Sequence, residues 1–163
     1  MDFNDILTNL EGTAFATAIL EGDNLFPWIE AVHVLALVIV VGTIWIVDLR
    51  LLGVAAHTRS VQRLMKQLLP LTWGAFAIAV ASGFLMFSSN AVAYAANWPF
   101  RIKMLLLIGA GLNMLYFHVA TYRDVGQWDE ANTPRAARVA GGLSLSLWVI
   151  VIFLGRWIGF TVA

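Results

Sequence analysis

The residues with the clearest chemistry in this sequence are three histidines, His33, His57 and His118. His33 and His118 lie inside long apolar stretches, where ionisable side chains are costly and are therefore candidates for function. A neutral imidazole is a good ligand for haem iron and titrates near physiological pH. His33 and His118 are accordingly the first candidates for a cofactor or metal site.

Further polar residues share these stretches. Glu30 and Asp48 are eighteen residues apart, which is five helical turns, so they face the same direction at opposite ends of one helix. His33 lies on the same broad face. The sequence therefore predicts two polar layers: an outer layer of Glu30, His33, Arg101, Lys103 and Arg156, and an inner layer of Asp48, Arg50, His57, His118 and Arg123. Asn113 lies on a different face of its helix from His118.

Composition identifies the class of protein that must position these residues. Of the 163 residues, 60% are hydrophobic and 12% are charged, and the mean hydropathy is +0.79, values typical of an integral membrane protein. There is no cysteine, which excludes disulfides, thiolate metal sites and cysteine nucleophiles. The net charge of zero argues against a nucleic-acid partner.

Four segments are long and apolar enough to cross a bilayer, which needs about 20 residues. They are residues 28–52, 71–89, 102–122 and 141–160. Connectors of moderate length favour antiparallel neighbours, so we expect a single all-α domain, an up-down-up-down four-helix bundle. Thr133 followed by Pro134 predicts an N-cap with proline in the first helical position.

Two amphipathic segments accompany the spans. Residues 3–20 carry apolar side chains at helical spacing with acids between them, which predicts an N-terminal helix lying in the membrane interface. Residues 59–69 place Arg59, Arg63 and Lys66 on one face, which predicts a basic connector helix resting on anionic headgroups.

Lysine and arginine predict the orientation. The first and third connectors share one side of the membrane, and seven of the ten basic residues lie there or at its edge. The positive-inside rule places that side in the cytoplasm and both termini outside it. In a bacterial inner membrane, the termini would then be periplasmic.

The spacing of the histidines limits how they could bind a haem b. The first and third spans run in the same direction, so His33 and His118 are about 15–20 Å apart in depth and cannot both ligate one haem. His57 approaches the same haem as His118 only if the first helix continues well past Arg50. Alternatively, His33 with Met86 or Met104 provides a His/Met haem site or a copper site.

Each polar layer also has a structural explanation. Arg101 and Lys103 can extend to the interface, Asp48 can pair with a nearby arginine, and Glu30 can pair with Arg156. The methionines can simply fill the core.

Three stretches resemble an uncharacterised family of small bacterial four-helix membrane proteins: "IEAVHVLALVIVVGTIWIVDLRLLG", "GFLMFSSNAVAYAANWPFRIKMLLLIGAGLNMLYFH" and "SLSLWVIVIFLGRWIGF". The resemblance extends from Trp28 to Phe160 and implies the fold but no reaction. The residues that carry it are Glu30, His33, Gly42, Asp48, Leu49, Arg50, Gly83, Phe100, Lys103, Asn113, His118, Trp148, Gly155, Arg156 and Trp157. The opening helix, with "VGTIW" after a histidine, is also similar to copper-resistance D-like proteins and membrane b-type cytochromes.

Two classes of function follow. The favoured one is a haem-carrying electron-transfer protein that works with a quinone or a redox partner protein in the bilayer. The other is a cofactor-free transport element or an accessory subunit, alone or as a homo-oligomer. A hydrolase or transferase fits poorly, because the sequence contains no nucleophile–base pair, metal-hydrolase motif or phosphate loop.

Overall fold

The computed structural model describes residues 2–55, 59–129 and 133–162, and these ranges contain helices and no strand. Four long helices form a bundle, which confirms the predicted all-α fold: α3 (Leu25–Leu52), α4 (Val61–Ser89), α6 (Trp98–Tyr116) and α8 (Arg135–Thr161). Four short helices accompany them: α1 (Phe3–Glu11), α2 (Ala14–Glu21), α5 (Ala91–Ala96) and α7 (Val125–Trp128). A π-helix (Phe117–Thr121) and a 3-10 turn (Tyr122–Asp124) connect α6 to α7.

The long helices are suited to a bilayer. Each of Leu25–Leu52, Val61–Ser89, Trp98–Trp128 and Arg135–Thr161 is long and apolar enough to cross a membrane. Large apolar side chains cover the outside of the bundle, among them Leu35, Leu105 and Phe153, each more than 60% exposed. Such a surface is unfavourable in water and favourable among acyl chains, so the fold is compatible with an integral membrane protein.

The second long helix begins ten residues earlier than the predicted span, at Val61 instead of Leu71. Residues 59–69 are therefore not a separate connector helix. Most of them form the first turns of α4, because Val61, Leu64 and Met65 are buried against the bundle. Pro70 lies inside this helix, where the surrounding helices of a bundle make a proline tolerable.

The N-terminal segment is two helices, since the chain breaks at Gly12 and Thr13. Asp2 caps α1 in a capping box with Asp5, as acids near a helix start commonly do. Phe3 remains exposed, as expected for an interfacial helix. The fourth long helix also begins differently from the prediction, because Pro134 is its cap and Arg135 its first residue.

The order of packing leaves one side of the bundle open. Helix α3 packs along α4 and α8, and α6 packs along α8, whereas α4 and α6 make no comparable contact in the described ranges. The two are linked near their ends, where α5 and α7 touch α4. A lateral opening therefore lies between α4 and α6.

We use two names for the ends of the bundle. The termini end carries α1, α2, α5 and Thr161, and the basic end carries residues 53–55, 59–60, 129 and 133–134. At the basic end, Asp129 accepts hydrogen bonds from the Ser60 hydroxyl at 2.6 Å and from the backbone N–H groups of Val61 at 2.6 Å and Gln62 at 3.0 Å. Asp129 therefore caps α4 from a distant segment, and its charge complements the positive helix N-terminus.

Arg50 completes this arrangement, which we call the polar knot: Arg50, Ser60, Asp129 and Thr133. Its Nε donates to the Arg59 carbonyl at 2.7 Å, and its guanidinium donates to Thr133 and to the Asp129 backbone carbonyl. Its Nη2 lies 3.8 Å from Asp129 Oδ1, and both side chains are less than 10% exposed. The knot thus fastens the ends of α3, α4 and the segment after α7 to one another.

The knot makes the pKa of Asp129 differ from that of an exposed aspartate. Burial raises this pKa, but hydrogen bonds from Ser60, Gln62 and Val61 and the charge of Arg50 lower it further, so the net shift is downward from 3.8. A carboxyl whose folded pKa is depressed stabilises the fold above its unfolded value and loses that contribution as the pH falls through the folded pKa.

Replacing Asp129 with alanine should destabilise the protein by about 3 kcal/mol, because it removes the cap of α4 and leaves Arg50 buried without a counter-charge. The measurement is thermal unfolding in mild detergent at pH 7. As the pH falls below 3.8, the difference between wild type and Asp129→Ala should shrink.

The matched control is Asp124→Asn, in the same segment but exposed and making no side-chain cap. If Asp129→Ala and Asp124→Asn have the same unfolding temperature, the polar knot does not stabilise the protein as described.

Candidate functional site

A cavity of about 300 Å³ lies in the basic-end half of the bundle. It is lined by α3, α4, the α6 helix with its π-helical extension, and α8, and we call it the groove. Among its lining residues, Trp73, Phe76 and Met114 are each at least one-third exposed on the outside of the bundle. The groove therefore communicates with the lateral opening between α4 and α6, and its polar lining residues are Thr43, Asp48, Thr72, Asn113, His118 and Ser144.

Asp48 is the least satisfied of these residues. It is 5% exposed, and its Oδ2 has no hydrogen-bond partner among the described residues. Ser144 lies beside the carboxyl, and α8 approaches α3 closely at Gly141, where a Cβ would lie 3.2 Å from the Asp48 carbonyl oxygen. An unpartnered buried carboxyl oxygen is costly and requires an explanation.

The expected pairing of Asp48 with a nearby arginine is wrong for Arg50. Arg50 is two residues further along α3 and is engaged by Asp129 in the only ion pair found within 4.0 Å in the part of the chain that the structure describes. Side chains two residues apart on a helix point to nearly opposite sides, so Arg50 reaches the polar knot while the Asp48 carboxyl faces the groove.

His118 enters the groove from the π-helix. Its Nδ1 lies 2.9 Å from the Met114 carbonyl, and because a carbonyl only accepts, Nδ1 carries a proton; in the neutral imidazole, Nε2 is then the acceptor. The ring packs against Phe117 and Tyr122, with centroids 5.7 and 5.5 Å away. Short π-helical segments are frequent at functional sites, and this one sets the direction of a groove-lining histidine.

Three other polar groups of the groove donate within the protein. Thr43 donates to the Ile39 carbonyl at 2.8 Å, and the Thr72 hydroxyl has Thr43 and the Leu68 carbonyl as acceptors, both at 2.8 Å. Asn113 Nδ2 donates one of its two N–H groups to the Ala140 carbonyl at 3.0 Å. The two threonine hydroxyls therefore have only acceptor capacity left for a ligand.

Contacts with α8 fix the relative depth of these residues. Asp48 packs against Gly141 and Asn113 bonds to the neighbouring Ala140, so the two lie at similar depth. His118 is five residues beyond Asn113 on a helix running toward the basic end, about 7 Å deeper at 1.5 Å per residue. The groove thus presents two acceptors at two depths.

His33 lies at the other end of the bundle. Its Nδ1 is 2.9 Å from the Ala79 carbonyl and 3.0 Å from Ser82 Oγ, and a Cβ on Gly83 would lie 3.0 Å from its Cε1. It precedes Asp48 by fifteen residues on α3, about 22 Å along the helix. The structure therefore places His33 and His118 in separate layers.

The other termini-end residues do not form the ion pair expected there. Arg156 lies over the Phe160 ring, 4.7 Å from its centroid, and no Glu30–Arg156 pair is found within 4.0 Å. Arg101 donates to the Ala95 carbonyl at 2.6 Å in an exposed position. Lys103 extends inward, with its Nζ 3.7 Å from the position of a Cβ on Gly155.

Met86 and Met104, the two methionines of the predicted His/Met site, do not line the groove. Met104 is 36% exposed on the outside of the bundle, Met86 is half-buried, and His57 lies outside the described residues. Within the described ranges, no three His, Asp or Glu side chains are grouped to hold a metal ion. The structure brings together Asp48, Asn113 and His118.

Asp129 was missed by the sequence analysis, because an acid in a polar connector is common and usually solvated. One signal was present: Ser60 begins α4 without an acid three residues later, so its capping box is incomplete. A cap from another segment was one solution, but the sequence does not say which acid provides it.

The model of a family of unknown function, DUF6644, matches residues 21–161. The chain belongs to this family. The match includes the four long helices, the polar knot and the groove, and it leaves α1 outside. Searches of the curated proteins and of the solved structures gave no match. The family description names no activity, so function must be argued from the groove.

The contact between His33 and Gly83 yields a test within one helix. Gly74→Ala in α4 should stabilise the protein by about 0.5–1 kcal/mol, because alanine favours helix and a Cβ at Gly74 meets nothing within 4 Å. Gly83→Ala should lack this gain, since its Cβ presses on the His33 ring. Thermal unfolding of both variants measures the difference.

A His33→Ala background supplies the control. There, Gly83→Ala should become as favourable as Gly74→Ala. If the two glycine variants differ by the same amount with and without His33, the packing described for this ring is wrong.

Proposed function

We propose that this chain is a small integral membrane protein that binds a lipophilic molecule drawn laterally from the bilayer into the groove. This is the transport or accessory class of function. The observation that carries the proposal is Asp48 Oδ2, a buried carboxyl oxygen in the wall of a largely apolar cavity that has no partner among the residues that the structure describes. A ligand with a hydrogen-bond donor would supply the missing partner.

Size and access support this proposal. A volume of about 300 Å³ is at the lower end of the range for small-molecule sites. It suits a ring or a short chain better than a large macrocycle. Trp73 and Phe76 stand at the rim, where a molecule dissolved among acyl chains would enter without passing through water.

We also infer an orientation in a bacterial inner membrane, with both termini on the periplasmic side. The support is the concentration of Arg and Lys at the basic end. In that orientation the groove would open into the cytoplasmic leaflet.

Filling the groove should abolish binding of a lipophilic probe. The probe is N-phenyl-1-naphthylamine, an apolar fluorophore with one N–H donor, and its binding in lipid nanodiscs is measured by energy transfer from tryptophan. Wild type should show saturable transfer from Trp73 and Trp148, which line the groove. Gly111→Leu should weaken binding about tenfold or more, because leucine occupies the cavity.

Gly109→Leu is the matched control, since Gly109 is on the same helix, is absent from the groove lining and also has open space at its Cβ. It should bind the probe like wild type. Equal binding by wild type, Gly111→Leu and Gly109→Leu would refute the groove as a site.

A second candidate function is electron transfer through a b-type haem, with a quinone or a redox protein as partner. The observation that favours it is that both described histidines have Nδ1 beside a backbone carbonyl and Nε2 left over. Metal-ligating histidines are commonly held in this way. His118 faces a cavity, and copper is the alternative for His33.

Under this candidate, protein purified in mild detergent should show a Soret band that is lost in His118→Ala and kept in His33→Ala. Metal analysis of the same sample tests copper. A colourless, metal-free protein from cells supplied with haem and copper, with the wild-type unfolding temperature, would exclude this candidate.

A further inference from the structure

The polar groups of the groove determine which chemical class of ligand fits it. This step rests on the proposed function, because it assumes that the groove is a binding site. We propose that the ligand is a membrane quinol, a flat ring carrying two hydroxyl donors and an apolar tail.

The acceptors that line the groove favour a ligand with donors. Asp48 Oδ2 has no partner among the described residues, and a carboxyl keeps an acceptor oxygen in either protonation state. In the neutral imidazole, His118 Nε2 is a second acceptor, because the Nδ1 proton is directed to the Met114 carbonyl. The hydroxyl donors of Thr43 and Thr72 and one N–H of Asn113 are used within the protein. A ligand that donates at both ends would satisfy both acceptors.

The shape of a quinol also fits the groove. Asp48 and His118 belong to α3 and to the π-helical extension of α6, and they differ in depth by about 7 Å. The two hydroxyls of a para-hydroquinone point in opposite directions across one ring. Trp73, Phe76 and Phe117 also line the groove, and aromatic side chains stack favourably on flat rings.

The open side of the groove provides a route into the bilayer for the tail of a quinol. The opening between α4 and α6 faces the side of the bundle, where the exposed side chains are apolar. A ring inserted from the bilayer would leave its tail among acyl chains, so the protein needs no cavity for it. This accounts for a groove of about 300 Å³ with an open side.

Two related ligand classes fit less well. A quinone carries only acceptor oxygens. Its carbonyl oxygen would lie against the lone pair of a neutral His118 Nε2, and two acceptors repel each other. A long-chain ammonium ion could pair with Asp48 but would leave His118 without a donor and the aromatic side chains without a ring. A quinol satisfies both acceptors and occupies the space between them.

The experiment compares n-decyl benzoquinol with its dimethyl ether, which keeps the ring and tail and loses both donors. Each is titrated under anaerobic conditions into protein in lipid nanodiscs, with quenching of tryptophan fluorescence as the readout. The quinol should bind wild type at least about tenfold more tightly than the ether, since one hydrogen bond to a buried group that otherwise lacks a partner contributes about that factor.

Variants of Asp48 and His118 test whether each residue accepts a hydrogen bond from one hydroxyl of the quinol. Asp48→Leu and His118→Phe should each weaken quinol binding about tenfold and leave ether binding unchanged. His118→Gln, which restores an acceptor oxygen, should bind the quinol more tightly than His118→Phe does. Thermal unfolding of every variant shows whether it has folded, and the quinol-to-ether comparison in wild type needs no variant.

The outcomes separate this inference from the proposed function. Equal binding of quinol and ether to wild type, or displacement of the quinol by decylamine at equal concentration, would overturn the quinol assignment. The proposed function would survive if Gly111→Leu still abolished probe binding. If Gly111→Leu affected neither the probe nor the quinol, both would fail.

Discussion

Arg50 at the end of α3 is bound to a carboxylate that already caps the start of α4, and the rest of the architecture depends on this connection. Asp129 satisfies backbone N–H groups of α4 that would otherwise lack partners. It also neutralises a buried guanidinium. Because one carboxylate performs both roles, the basic ends of three membrane-length segments are held together without a continuous contact between α4 and α6.

The chemistry of the groove follows from the two directions in which the end of α3 presents its charges. Asp48 and Arg50 are two residues apart, so their side chains point to nearly opposite sides of the helix. Arg50 is bound to Asp129 in the polar knot, whereas the Asp48 carboxyl faces the cavity. The π-helix adds the His118 lone pair to the same cavity. A site that is rich in acceptors, apolar elsewhere and open to the side has the properties of a receptor for a lipophilic donor.

Much of the fold was predictable, because hydropathy and helix length depend on local sequence. The four membrane-length helices follow from it, and so does the separation in depth of His33 from His118. The start of α4 at Val61 was not predictable, since Pro70 and the polar face around Lys66 suggest a break that only tertiary packing overrides. The sequence did not reveal the ion-pair partner of Arg50. Asp48 is its close neighbour in sequence, but the position of Asp129 depends on a contact between distant segments.

Asp48 Oδ2 has no hydrogen-bond partner among the described residues, and we propose that it gains one from a molecule in the groove. Infrared difference spectroscopy of the protein in lipid, with and without n-decyl benzoquinol, measures this directly through the carboxyl stretching bands. The account predicts that a carboxyl band shifts when the quinol binds and that this shift disappears in Asp48→Asn. Saturable quinol binding with no carboxyl change, or with an unaltered change in Asp48→Asn, would contradict the account.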